Sequence, residues 1–225
     1  MDSLIAVSGR DFVLMASDVT SARSIVVMKE DMDKIMELDE HKLLGFAGEP
    51  GDCTAFTEYI QKNVHLFALR SGITLDTHAV GNFTRNELAV SLRKRPYNVN
   101  MLLAGYDEHI GPSLYYLDYL ATLHKMDFSA LGYASFFVLS TLDRHWKKNM
   151  SLDEALVVLK KCINEVQTRM VISQPKFTIK LVGKDGIQVL ETASSGGDEK
   201  VTSSPPAMEV EATAGAVSGD AMEAA

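Results

Sequence analysis

Cysteine is scarce in this chain: only Cys53 and Cys162 occur among 225 residues, more than a hundred positions apart. That number and spacing exclude a disulfide framework and a thiolate zinc site, and predict two free, buried thiols. Long apolar runs are missing too, since no stretch approaches the roughly 20 residues of a membrane span. The start, Met1-Asp2-Ser3-Leu4-Ile5-Ala6-Val7-Ser8-Gly9, has neither the basic end nor the cleavage pattern of a secretory signal, so a soluble intracellular protein is expected. Without such a signal, Asn82-Phe83-Thr84 and Asn149-Met150-Ser151 are chance matches to the glycosylation pattern. The six histidines, His41, His65, His78, His109, His124 and His145, show no i, i+4 pair around a carboxylate, so no metal site is expected. No cofactor is expected either, and no internal repeat of fixed period is present.

Positive charge is also lacking. The formal charge is −8, and residues 191–225 carry seven acids and one lysine, which leaves the preceding 190 residues nearly neutral with 23 acids and 21 bases. There is no electrostatic footprint for nucleic acid or for an anionic membrane surface.

What is present is a body of residues 1–190 with clear periodicities. Short apolar runs at 4–7, 12–16, 35–38 and 42–47, broken by turn residues, predict strands, the first two forming a hairpin around Gly9. Phe56, Tyr59, Ile60, Asn63, Val64 and Phe67 then recur every three or four residues and predict an amphipathic helix ending near Gly72. A second helix is expected at 76–94, stopped by Pro96. Strands return at 98–105 and 113–117, and a third helix is expected at 133–143. Ser151 and Glu154 form a capping box ahead of a fourth, with Leu152, Ala155, Leu156, Leu159, Ile163 and Val166 on its apolar face. A last hairpin, 176–182 and 187–190, turns on Lys184-Asp185-Gly186.

Strands, two helices, strands, two helices, strands is not the alternation of a doubly wound fold. Two antiparallel sheets stacked face to face, each covered by a helix pair, would bury every apolar stripe. The expected class is α+β, a four-layer αββα sandwich. Residues 191–225 contain no aromatic, leucine or isoleucine, so an acidic, low-complexity, disordered tail is expected there.

Several segments carry a specific resemblance: Leu4-Ile5-Ala6-Val7, Gly9, Phe12-Val13-Leu14-Met15-Ala16-Ser17-Asp18, Asp33-Lys34-Ile35, and Leu43-Leu44-Gly45-Phe46-Ala47-Gly48-Glu49-Pro50-Gly51-Asp52-Cys53. Together they resemble, without a gap, the pattern of proteasome β subunits, which are N-terminal nucleophile hydrolases. The similarity covers about residues 2 to 190 and agrees with the sandwich. The stretches 103–120 and 58–64 point more narrowly to one non-catalytic member of the ring.

In active members, the resemblance implies, an N-terminal threonine supplies the hydroxyl nucleophile and its own α-amine the base. Counting along the chain puts that place at Asp2, which has no hydroxyl, and with Met1 immediately before it no propeptide is expected. Asp18 and Lys34 match the family's ion pair beside the nucleophile, and Gly48 matches the oxyanion donor. Tyr133 stands where active members carry a serine, and Met170 where they carry an aspartate; Ser173 still matches a family serine. Asp2, Asp18, Lys34, Gly48, Tyr133, Met170 and Ser173 are therefore expected to be vestigial positions, with no catalytic residue. The alternative is an active peptidase using Ser3 or Thr20 after processing.

The expected role is a non-catalytic structural subunit. The resemblance implies a place in the β ring around the proteolytic chamber for ATP- and ubiquitin-dependent degradation, in cytoplasm and nucleus. Its implied partners are other α and β subunits and the particle's assembly chaperones, with no nucleic acid and no membrane. Tyr115, Tyr116 and Tyr119 crowd one strand and turn and are candidate interface residues, with core packing equally open for part of the group.

Overall fold

Residues 2–23 and 26–194 are described by a computed structural model. Six strands come first: β1 (Ser3–Ser8), β2 (Phe12–Asp18), β3 (Ser21–Arg23), β4 (Val26–Lys29), β5 (Ile35–Asp39) and β6 (Lys42–Gly48). Helices α1 (Pro50–Ser71) and α2 (Thr77–Leu92) follow, then β7 (Val99–Asp107), β8 (Gly111–Leu117), β9 (Leu123–Met126) and β10 (Phe128–Gly132). Helices α3 (Ser135–His145) and α4 (Leu152–Arg169) precede the hairpin β11 (Lys176–Gly183) and β12 (Gly186–Ser194).

The strands form two five-stranded antiparallel sheets, ordered β10-β1-β2-β11-β12 and β5-β6-β7-β8-β9, with β3 and β4 as a separate ribbon. Period-two alternation divides the side chains of β1 between two cores. Leu4 and Ala6 face the second sheet, with Met15, Leu43 and Leu102. Ile5 and Val7 face α3 and α4, packed among Val138, Leu142, Leu159 and Val166. A third core, including Phe56, Ile60, Leu88 and Met101, lies between the second sheet and α1–α2. Each fully buried large aliphatic contributes about 1.5–3 kcal/mol, so all three layers of contact stabilise the αββα sandwich that the element order implied.

Local signals behave as their chemistry requires. The Ser151 side chain accepts from the Glu154 amide while the Glu154 carboxylate accepts from the Ser151 amide at 2.9 Å, which holds Glu154's carboxyl below its ordinary value. Asp76 caps α2 by accepting from the Ala79 amide at 2.6 Å. Both cysteines are free and buried, and burial pushes each thiol up to about 12.

Four differences from the sequence expectations have physical reasons. Strands β3, β4, β9 and β10 were not foreseen, because they are short and lack an apolar alternation. Tyr59 and Phe67 were expected on the apolar face of α1 but are exposed, since the stripe that packs is Cys53, Phe56, Thr57, Ile60 and Val64. Helix α3 begins at Ser135, not at 133. The boundary at 190 falls inside β12: after an irregularity between Phe177 and Ile179, pairing resumes as Phe177–Ala193 and Lys176–Ser194. Backbone pairing continues the strand where apolar side chains have run out. The rest of the expected disordered tail, residues 195–225, lies outside the described residues.

Candidate functional site

The matched residues converge at one end of the sandwich. Strand β1 lies between β10 and β2, so the chain start, the end of β2 and the end of β10 are neighbours. Asp18 closes β2, Lys34 immediately precedes β5, and Gly48 closes β6 of the opposite sheet. The fold thereby brings Asp2, Asp18, Lys34 and Gly48 together from four separate segments.

Lys34 is the hub. Its Nζ lies 2.8 Å from Asp18 Oδ2 and 2.9 Å from Asp2 Oδ1, and it donates to the Thr20 carbonyl at 2.8 Å. Its three ammonium donors match these three acceptors. Asp18 is wholly buried and also accepts from the amides of Ser3 at 2.8 Å and Thr20 at 3.2 Å. Burial pushes its carboxyl up from the ordinary value; the charge and hydrogen bond of Lys34 and the Ser3 amide pull it back, while Asp2 adds to the rise.

Asp2 does more than lack a hydroxyl. Its Oδ2 accepts from the Gly48 amide at 3.3 Å while Oδ1 pairs with Lys34. Its carbonyl accepts from the Tyr133 amide at 3.0 Å. The amide that resemblance identifies as the oxyanion donor is therefore directed at a carboxylate of the chain itself. Glycine is required at two points of this frame. Gly48 has φ +153°, and a Cβ there would stand 2.2 Å from the Asn98 carbonyl oxygen. Gly132 has φ +67°, and its Cβ would stand 1.9 Å from the Asp2 carbonyl oxygen.

The other sequence candidates are placed differently. Tyr133 contributes its backbone amide to Asp2, while its side chain is exposed. Met170 caps the C-terminus of α4 and packs on the core beneath α3 and α4, and Ser173 is exposed in the connection to β11. The Ser3 hydroxyl is buried with no hydrogen-bond partner, and the Ser3 nitrogen is a peptide amide that donates to Asp18. Of the tyrosines, Tyr115 is buried under α1 and α2, with its ring 5.8 Å from that of His78, and Tyr116 is half-buried between the sheets. Tyr119 alone of the three is exposed, because β8 ends at Leu117 and leaves it in a turn. The backbone roles of Thr20 and Gly132 were not foreseen from sequence, because a backbone contact leaves no side-chain signal. Among the described residues no group of three His, Cys, Asp or Glu could hold a metal ion, and no helix is long and apolar enough to cross a membrane.

Comparison with known proteins gives this geometry a family. Residues 2–182 match the family described as "Proteasome subunit". The chain is 53% identical over 186 residues to "Proteasome subunit beta type-2-B" of Arabidopsis thaliana, covering 83% of this chain and 94% of that protein. It is 48% identical over 193 residues to "Proteasome subunit beta type-2" of Dictyostelium discoideum, covering 84% and 97%. Against "Proteasome subunit beta type-4" of Saccharomyces cerevisiae the identity is 40% over 193 residues, covering 85% and 98%. The chain belongs to the proteasome subunit family. Its β-type relatives carry two numbers, type-2 in the plant and the slime mould and type-4 in the yeast.

Proposed function

We propose that this chain is a non-catalytic, structural β subunit of the core proteasome. It forms one wedge, at the place termed β4, of the ring that encloses the proteolytic chamber for ATP- and ubiquitin-dependent degradation. The observation that carries this reading is the Asp2 carboxylate, which sits at the nucleophile's place and takes both the Gly48 amide and Lys34. A hydroxyl nucleophile needs a nearby base and a free oxyanion donor; here the position has no hydroxyl, and the donor already faces an anion.

The partners of this reading are the other α and β subunits and the assembly chaperones of the particle, in cytoplasm and nucleus. Purification of the tagged full-length chain from cells tests it. The expected result is recovery of the other α and β subunits in equal amounts, with a threonine-directed covalent inhibitor labelling other β subunits and leaving this chain unlabelled. Labelling of this chain, or its recovery as a free-standing peptidase, would overturn the reading.

A further inference from the structure

Helices α3 and α4 leave a recess of about 340 Å³ between them, lined by Thr141, Arg144 and His145 of α3 and by Lys161, Asn164 and Glu165 of α4. Its charge is one-sided. Glu165 is engaged by Arg169, one turn further along α4, whereas Arg144 and Lys161 have no ion pair among the described residues. Lys147, Lys148 and Lys160 stand next to them in the sequence. Two unpaired cations, with the side-chain donors of Thr141 and Asn164 beside them, make a surface that accepts anions.

The chain carries an anion of its own. Residues 195–225 hold six acids and one lysine, and they lie beyond the body shared with the family, whose match ends at residue 182. The match to the Arabidopsis protein likewise covers 94% of that protein but 83% of this chain. Reach decides which acids count. Ser194 pairs with Lys176, seven residues after the end of α4 at Arg169, and Lys161 lies eight residues back along that helix. Strand spacing, extended chain and helical rise together keep the recess within about 42 Å of Ser194. Asp198 and Glu199 follow Ser194 too closely, since fully extended chain carries them only about 16 Å, whereas Glu209 and Glu211 can extend about 50 Å or more. The path does not cross the molecule, because α3 and α4 cover the sheet that contains β12, and Leu190 packs on their core. The other basic run, Arg93-Lys94-Arg95, follows α2 in the opposite outer layer.

We infer that the acidic segment 195–225 docks on its own body, with Glu209 and Glu211 meeting Arg144 and Lys161 in the α3–α4 recess. This goes beyond the structural-subunit reading and does not depend on it. The recess has the volume of about ten waters, which suits a pair of side chains and not a folded partner. Exposed ion pairs are individually weak, but a tethered segment meets its site at about millimolar effective concentration once the linker spans the distance. The contact is electrostatic, so it weakens as the Debye length falls from about 10 Å at 0.1 M salt to about 3 Å at 1 M. While it holds, the segment masks the basic face of α3 and α4, and an anionic partner approaching that face must displace it.

The experiment uses the purified, tagged full-length chain. A photoreactive side chain in place of Val210, between the two glutamates, is expected to cross-link to peptides of α3 or α4, with mixed heavy and light chains separating same-chain adducts from those between copies. The same-chain yield should fall at least about threefold between about 0.1 and 1 M salt. The double variant Arg144→Glu, Lys161→Glu should lower it at least about fivefold. Both positions are exposed, so its thermal midpoint is expected to stay within about 2 °C of wild type. Adding Glu209→Lys and Glu211→Lys to that variant exchanges the charges and should restore the yield, while Arg93→Glu with Arg95→Glu should leave it unchanged. A yield indifferent to the reversal at 144 and 161, one not restored by the exchange, or cross-links directed to residues 93–95 or to another copy would overturn the docking.

Discussion

The molecule holds two buried lysines of nearly the same design. Lys34 lies between Asp2 and Asp18 and donates to the Thr20 carbonyl; Lys180, on β11, lies between Asp33 at 2.7 Å and Glu37 at 3.1 Å and donates to the Ile35 carbonyl at 2.8 Å. Each ties the first sheet to the edge of the second. A lysine between two carboxylates is therefore not in itself a catalytic signature in this fold. The difference lies in the partners. Asp18 is wholly buried, whereas Asp33 and Glu37 are 52% and 51% exposed and keep water as an alternative partner.

That difference sets an order of effects. Lys34→Ala strands a buried carboxylate, so a loss of about 3–5 kcal/mol is expected in urea unfolding. Lys180→Ala leaves two hydrated carboxylates, and a loss of about 1–2 kcal/mol is expected. Equal losses would mean that burial of the partner does not separate the two clusters. Ser151→Ala, remote from both, should cost about 1 kcal/mol through the lost cap, which calibrates the scale in the same assay.

The smallest effect expected is a pH dependence of opposite sign at two acids. Asp18 has its carboxyl raised above the ordinary 3.8, so the native state holds that proton more firmly than the unfolded chain. Its contribution is fully present below the ordinary value and is lost as pH rises through the raised one. Glu154 is lowered, so its contribution is present above the ordinary value and is lost as pH falls through the lowered one. Urea midpoints across this range should show wild type losing ground to Asp18→Asn as pH rises, and losing its advantage over Glu154→Gln as pH falls. The same trend for both comparisons would contradict the placement of Asp18.

Much of this architecture was legible because it is written in local periodicity. The stripe of α4, the capping box and the paired helices between groups of strands need only short-range patterns. Strand order needs more: β10 lies beside β1 through contacts more than a hundred residues apart in the chain, and nothing in either segment names the other. Lys180 was hidden for a related reason. It sits between Ile179 and Leu181 in a strand, where alternation gives it a face but not the carboxylates that await it. Asp18, Lys34 and Gly48 could be placed by resemblance, but the reach of the Asp2 carboxylate to both Lys34 and the Gly48 amide required coordinates. Composition left Tyr115 and Tyr116 open between interface and core; only the structure places Tyr115 beneath α1–α2 and leaves Tyr116 half-buried between the sheets.

Gly132 couples two places that the sequence keeps 130 residues apart. Its missing side chain is the space in which the Asp2 carbonyl rests, and the following amide holds that carbonyl. Position 132 and the first strand therefore share one degree of freedom. A methyl group at 132 would lift the start of β1 and draw Asp2 from Lys34. A contact between two backbones thereby sets the shape of a site whose side chains lie elsewhere.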